Sequence, residues 1–315
     1  METECDVVII GGGPAGLAAG LYAARARRCA VMLEKSVIGG QIALTASIEN
    51  YPGFPDGVNG FDLAEAMLQQ AEKYGLSTIY VSALSVERDG DYFVIKTPEG
   101  DFHTKTVIAA GGAAYKKLGV PGEERLIGRG VSFCATCDGA LFRQKEVLVV
   151  GGGDAAIDES LFLARYASKI HVVHRRDKLR ATPVLQERAF AEPKIDFTWN
   201  SVVVEILGDD YVTGARLRNV AGGEESEMAV EGVFIFIGQQ PSVDYLKGMV
   251  AMDETGRVIV NDWMETDVPG IFAAGDVRRN AARQVVSSAG DGATAAIRAD
   301  QYINEKFGGW VPPEQ

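Results

Sequence analysis

Two short apolar runs, Asp6 to Ile10 and Glu146 to Val150, each lead straight into three consecutive glycines. Neither run alternates with polar residues, which is the pattern of a strand buried on both faces of a parallel sheet. After each glycine triplet an Ala- and Leu-rich stretch takes up helical spacing, Leu17 to Arg27 in one case and Ala155 to Tyr166 in the other. A second apolar run follows each, Ala30 to Leu33 and Lys169 to Val173. The chain therefore predicts the same strand–turn–helix–strand unit twice, and with it an α/β fold containing two Rossmann-like domains.

Elsewhere the period changes. Phe61 to Tyr74 has helical spacing, whereas Ser77 to Val86, Tyr92 to Thr97 and Asp101 to His103 alternate as antiparallel strands, with a turn at Asp89-Gly90. Lys105 to Ala110 returns as a buried strand and is followed by a turn-prone crossing from Gly111 to Gly122. Gly232 to Ile237 predicts a strand entering a second crossing, Gly238 to Ser242. In the tail, Gly270 to Val277 predicts a strand ending in Gly-Asp, and a helix begins near Gln284.

The glycines carry the first chemistry. Gly11, Gly13 and Gly16 form G-x-G-x-x-G between strand and helix. In that setting the first glycine allows the tight turn, the second lets backbone approach a pyrophosphate, and the third lets helix and strand pack closely. The helix N-terminus then faces the phosphates with free N–H groups. Glu34 ends the second strand, where an acid accepts ribose hydroxyls. The second unit reads Gly151, Gly153 and Ala156, the permitted G-x-G-x-x-A form, but its second strand ends in His174, Arg175 and Arg176, with Arg180 beyond. Guanidinium groups at that place select the dianionic 2′-phosphate of NADP by charge-assisted, bidentate bonds. The two units thus predict two different dinucleotides.

Charge narrows the partners. At 315 residues the chain has room for two domains, and a net charge of −12 argues against nucleic acid. The acidic start has no signal-peptide pattern, and no apolar run reaches the roughly 18 residues of a membrane helix. Four cysteines without such a signal predict a cytoplasmic, reducing setting.

Between the two glycine fingerprints lies Cys134-Ala135-Thr136-Cys137-Asp138. A C-x-x-C pair serves either redox exchange or half of a zinc site. Zinc needs further ligands at matching spacing, and Cys5, Cys29, His103, His171 and His174 do not supply a second pair; no metal is expected. The position between two dinucleotide fingerprints favours redox, with Asp138 as the neighbouring proton donor and acceptor. Cys5 and Cys29 are expected to be inert, packed residues.

The pieces GGGPAG, GGQ (39–41) with IENYPGF (48–54), CATCDG (134–139), GGGDAA (151–156) with HRRDKLR (174–180), FAAGDV (272–277) and RQVVSSAGDGA (283–293) occur in one order and spacing. On these the chain resembles the low-molecular-weight thioredoxin reductases of bacteria and archaea over almost its whole length. The resemblance implies a glutathione-reductase-like FAD domain in two pieces, 1–116 and 246–315. It implies an inserted NADPH domain, 117–245, carrying a reactive Cys134–Cys137 disulfide, and a homodimer. FAD contacts would come from Gly11, Gly13, Pro14, Ala15, Gly16, Glu34, Lys35, Gly39, Gly40, Gln41, Asn50, Gly275, Asp276, Val277, Arg283, Gln284 and Val285. NADPH contacts would come from Gly151, Gly153, Asp154, Ala155, His174, Arg175, Arg176, Arg180 and Gly238. One departure is Ala109-Ala110-Gly111-Gly112, where the family often has Ala-Thr-Gly; no consequence is attached to it.

By the same resemblance Cys137 faces the flavin, Cys134 attacks the disulfide of thioredoxin or a similar small protein, and Asp138 moves the proton. The disulfide and the NADPH fingerprint share one domain, so they cannot serve one flavin face together, and the inserted domain is expected to rotate about its two crossings. The alternatives are a thiol oxidase or a reductase of another small disulfide protein on the same fold, and, from a different class, a flavin-bound regulatory protein.

Overall fold

The structure, a computed structural model, describes residues 3–45, 48 and 50–308. The chain divides into two compact units, Met1–Ala114 with Gln240–Gln315, and Tyr115–Gln239. The second crossing rejoins the first unit earlier than the 245/246 boundary expected from sequence, because Val243 and Leu246 are buried in that unit's core with Tyr245 packed beside them. The crossings themselves, Ala113–Tyr115 and Gln239–Pro241, pair as a two-stranded ribbon.

The first unit is built on a seven-stranded sheet. Ser77–Tyr80, Ala30–Glu34, Thr3–Ile10 and Gly100–Ala109 run parallel, side by side. Gly100–Ala109 has two partners along its length: antiparallel Tyr92–Thr97 at its start and parallel Ile271–Ala273 at its end. Tyr92–Thr97 in turn pairs with Ser85–Asp89. Two expectations are corrected here. Ser77 to Val86 is not one antiparallel strand; its first part runs parallel to Ala30–Glu34, and antiparallel pairing starts only at Ser85. Asp101–His103 and Lys105–Ala110 are one continuous strand, since Thr104 and Thr106 are fully buried with their hydroxyls bonded to backbone carbonyls. Alternation reports which faces are wet and not which way a neighbour runs.

Helix Pro14–Arg25 and the C-terminal helix Val285–Phe307 lie together on one face of this sheet. Their approach is close enough that a Cβ on Gly292 would fall 1.9 Å from the Ala15 carbonyl oxygen. The other face is covered by the 243–277 segment, through Val250, Val258 and Val277. Helix Gly60–Glu72 starts where Asn59 accepts from the Phe61 and Asp62 amides, the usual N-cap arrangement.

The second unit has a five-stranded parallel sheet ordered Ile195–Thr198, Lys169–Val173, Glu146–Val150, Gly232–Ile235 and Val131–Ser132. Helices Asp154–Leu163 and Pro183–Ala191 pack on one face. An antiparallel sheet of Ser201–Leu207, Gly214–Asn219 and Glu225–Ala229 covers the other, setting Val203, Ile206 and Leu217 against Leu148, Val150 and Val233.

Candidate active site

In the first unit the strand Thr3–Ile10 ends at Gly11, whose φ of 114° only glycine adopts readily. The chain then enters helix Pro14–Arg25 through Gly13, with Pro14 in the first turn and no side chain capping the amides. Those amides are left for an anion. Glu34 is buried, and its carboxylate accepts from the Gly12 and Ser36 amides, both at 2.7 Å. Gly39 donates to the Gly12 carbonyl at 2.8 Å, and a Cβ on left-handed Gly40 would lie 3.9 Å from the Gly13 Cα. Lys35 is exposed, and Gln41 bonds the Ala113 carbonyl.

Residues from the far end of the chain close the same region. Asn50 donates to the Gln284 side chain at 3.0 Å, while Val285 packs with Ile42 and Ile48. Gln284 caps the C-terminal helix reciprocally with Ser287, directly after Arg283, which holds a left-handed φ of 57°. Gly275 donates to Asp291, and Arg278 grips Asp291 with two bonds of 2.6 and 2.9 Å, seating the Gly275–Val277 turn on that helix. Asp276 carries a buried Oδ1 without a hydrogen-bond partner among the described residues. Burial pushes its carboxyl upward, opposed by Arg283. Such an orphaned buried oxygen beside a cradle of glycines is where a polar ligand group fits. Glu49, in the IENYPGF piece, lies outside the described residues.

In the second unit Gly151 is hemmed in: a Cβ there would meet the Ala156 side chain at 2.5 Å and the Phe236 carbonyl at 2.7 Å. Gly153 caps helix Asp154–Leu163 without a side-chain bond, and Ala155 is exposed in its first turn. Asp154 is occupied by the Thr182 amide at 2.5 Å. Arg180 donates its amide to Gly152 and holds its guanidinium beside Gly153. Arg175, Arg176 and Arg180 are exposed, and no salt bridge joins them to a carboxylate among the described residues. His174 does not stand with them. It is buried beneath Gly152, edge-on to Trp199, with Nε2 unpartnered among the described residues. Burial and then Arg180 hold its imidazole below the usual value. Gly238, with φ 111°, accepts from Lys116 in the connecting segment.

Cys134 and Cys137 form a disulfide across the short turn Ala135–Asp138. Cys134 caps that turn, its sulfur accepting from the Cys137 amide at 3.1 Å. Both cysteines are half-exposed, as a bond that is to be exchanged must be. The Asp138 carboxyl is also half-buried, and burial raises it while a 2.6 Å bond from Ser132 works the other way. Ser132 escapes a reading of motifs because it closes a strand two residues before the C-x-x-C. Asp291 and Arg278 escape it too, since their pairing spans a turn and a helix. Cys5 is buried, and its thiol is pushed up to about 12 by burial; Cys29 is exposed, contrary to the expectation that it is packed. Among the described residues no cluster of His, Cys, Asp and Glu suits a metal ion. A cavity of about 600 Å³ formed by Asp158, Phe162, Arg165 and Arg188 contains none of the expected site residues.

Residues 5–292 match the pyridine nucleotide-disulphide oxidoreductase family. The chain is 45% identical over 313 residues to a thioredoxin reductase of Peptoclostridium acidaminophilum, covering 98% of this chain and 99% of that one. A solved thioredoxin reductase from Streptococcus pyogenes overlays with a TM-score of 0.91 at 46% identity, covering 96% and 99% of the two chains. That of Lactococcus lactis, in its FR conformation, has the same coverage at 45% identity but a TM-score of 0.67.

Proposed function

The chain belongs to the pyridine nucleotide-disulphide oxidoreductases, and on that premise we propose that it is a thioredoxin reductase, carrying electrons from NADPH through FAD to the disulfide of thioredoxin. The observation that carries this reading is the Cys134–Cys137 disulfide with a half-buried carboxyl beside it, in the unit whose glycine loop is bordered by arginines. The residues present suit both cofactors. FAD would be held by Gly11 to Gly16, Glu34, Gly39 to Gln41, Asn50, Gly275 to Val277 and Arg283 to Val285, where glycines leave room for a backbone-hugging pyrophosphate and Asp276 offers an unpaired oxygen. NADPH would be held by the Gly151–Ala155 loop, Arg175, Arg176, Arg180 and Gly238. The bound cofactors supply hydride and a two-electron path to the disulfide.

The chain's own residues then carry the exchange. Two electrons and two protons open the Cys134–Cys137 bond to a dithiol. Cys134, as thiolate, attacks one sulfur of thioredoxin's disulfide; a mixed disulfide forms and a thioredoxin thiolate leaves. Cys137 thiolate next attacks the Cys134 sulfur, restoring the internal disulfide and freeing the second thioredoxin thiolate. Asp138, whose carboxyl is raised from its ordinary value by burial, takes the proton from Cys134 and returns one to the leaving sulfur.

The unit Tyr115–Gln239 holds both the nucleotide loop and the disulfide, while the FAD loops belong to the other unit. Rotation of that unit about the paired crossings would let the two groups take turns. A cross-link between the units should then slow at least one half-reaction, and full speed in both would remove rotation from the mechanism. No described helix is long and apolar enough to cross a membrane; we assign the protein to the reducing cytoplasm, as a homodimer.

The test is anaerobic stopped-flow reduction with NADPH, then NADH, followed by oxidised thioredoxin. The reading expects fast bleaching of flavin colour by NADPH and its return only on adding thioredoxin. Bleaching without discharge into thioredoxin, or oxygen consumption driven by small dithiols, would transfer the assignment to another partner or to a thiol oxidase. Asp138→Asn should slow the exchange with thioredoxin far more than the bleaching.

A further inference from the structure

Ser132 is buried at the end of strand Val131–Ser132, and its hydroxyl sits among three groups of the cysteine turn. Oγ lies 2.6 Å from Asp138 Oδ2 and 3.3 Å from the Cys134 carbonyl oxygen, and accepts from the Cys134 amide at 3.1 Å. A hydroxyl has one proton to give and two lone pairs with which to accept. With Asp138 ionised, Ser132 donates to Oδ2 and accepts from the Cys134 amide. With Asp138 protonated, the carboxyl donates to Oγ, and the serine proton turns to the Cys134 carbonyl. In both states each of these partly buried polar groups keeps a partner, the Cys134 carbonyl also accepting from the Asp138 amide at 3.1 Å, which neither alanine nor a fixed donor at position 132 would allow.

We propose that Ser132 is the positioning residue of the thiol–disulfide exchange, its hydroxyl rotating between Asp138 and the Cys134 carbonyl so that the Asp138 carboxyl stays docked on the cysteine turn while it gains and loses a proton. This rests on the acid–base role given to Asp138 above. The serine adds no proton to the reaction and removes none; one proton moves between Asp138 and a cysteine or partner thiolate, and the rotor follows it. The elements packed against the turn carry other ionisable groups: Asp154, Asp158 and Glu159 on the following helix, Tyr166 beyond it, and Arg143 after the turn. The upward displacement of Asp138 nonetheless comes from burial, with the Ser132 bond opposing it.

The test uses the FAD-loaded protein reduced by NADPH. The rate of thioredoxin reduction is measured across the pH range in which carboxyls and thiols titrate, for wild type, Ser132→Ala and Ser132→Thr. Flavin bleaching by NADPH on the same preparations is the reference for correctly folded protein. Ser132→Ala should lower the ratio of exchange to bleaching by roughly tenfold, the scale of one lost bond to a charged group. It should also move the pH profile of exchange upward, since the bond favouring the ionised carboxyl is gone. Ser132→Thr, which keeps the hydroxyl, should restore both. Ser132→Gly replaces the alanine variant if that does not fold. A Ser132→Ala profile superimposed on the wild-type one, whatever its height, overturns the proposal, as does a threonine variant shifted like the alanine one. Asp138→Asn, run in parallel, separates the layers: if it exchanges at the wild-type rate at every pH, the role of Asp138 itself is wrong. If it loses exchange while Ser132→Ala keeps the wild-type profile, only the inference about Ser132 fails.

Discussion

In the first glycine loop Gly16 sits so close to Gly11 that a Cβ would lie 1.8 Å from the Gly11 carbonyl oxygen. The second loop carries a fully buried alanine, Ala156, at the matching place. The middle glycines differ too: Gly12 rests on the Glu34 carboxylate and Gly152 on the His174 ring. Glu34 is fixed by two backbone amides, whereas the arginines after His174 stand exposed. On the proposed reading, one plan would serve two kinds of recognition. A buried acid held by the loop itself is pre-organised for neutral hydroxyls, while separate exposed guanidinium groups are suited to closing on a doubly charged anion.

The sharpest way to break this comparison is at the third position. Gly16→Ala should abolish flavin loading of the first unit, because the new methyl meets backbone that cannot move aside. Ala156→Gly should cost only about 1 kcal/mol of stability in the second. Flavin-to-protein ratio and denaturant unfolding measure the two effects, and equal tolerance would mean that the loops are packed alike.

A smaller effect is expected at the anion end. Arg175→Glu with Arg176→Glu should raise KM for NADPH by roughly 100-fold, the scale of two lost charge-assisted bonds, and leave KM for NADH nearly unchanged. Parallel losses for both nucleotides would assign these arginines to the general stability of the unit.

The smallest effect concerns His174. Its folded imidazole is held below the ordinary 6.5 by burial and then by Arg180, so the unfolded chain takes up the proton first. The stability it contributes is therefore present above the unfolded value and is lost as pH falls below about 6.5 towards the folded value. Urea unfolding of the FAD-loaded protein at neutral and mildly acidic pH should show this loss, and His174→Gln should flatten it. An unchanged pH slope in that variant would point to other titrating groups.

Much of the frame was legible in advance. Strand Glu146–Val150 and strand Lys169–Val173 were bounded by their sequences alone, and Gln284 was expected at the start of the last helix. The direction of Ser77–Tyr80 was not legible, because a four-residue strand with mixed exposure has the same pattern beside a parallel or an antiparallel neighbour. His174 was grouped with the arginines because it adjoins them in sequence; a strand end turns successive side chains to opposite sides, and this one went under the glycines.

What the sequence by itself determined is therefore the local grammar: two strand–glycine–helix units, the acid or arginines that close them, and a cysteine pair within one turn. Their chemistry depends on residues within one strand–turn–helix–strand unit or one turn, where spacing already dictates geometry. Only the tertiary structure decided that Asn50 reaches Gln284, that Arg278 clamps Asp291, and that Ser132 holds Asp138 on the cysteine turn. The first two join separate elements, and all three are side-chain bonds, the last two partly buried. Their partners are chosen by which surfaces burial brings together, and no local period records that choice.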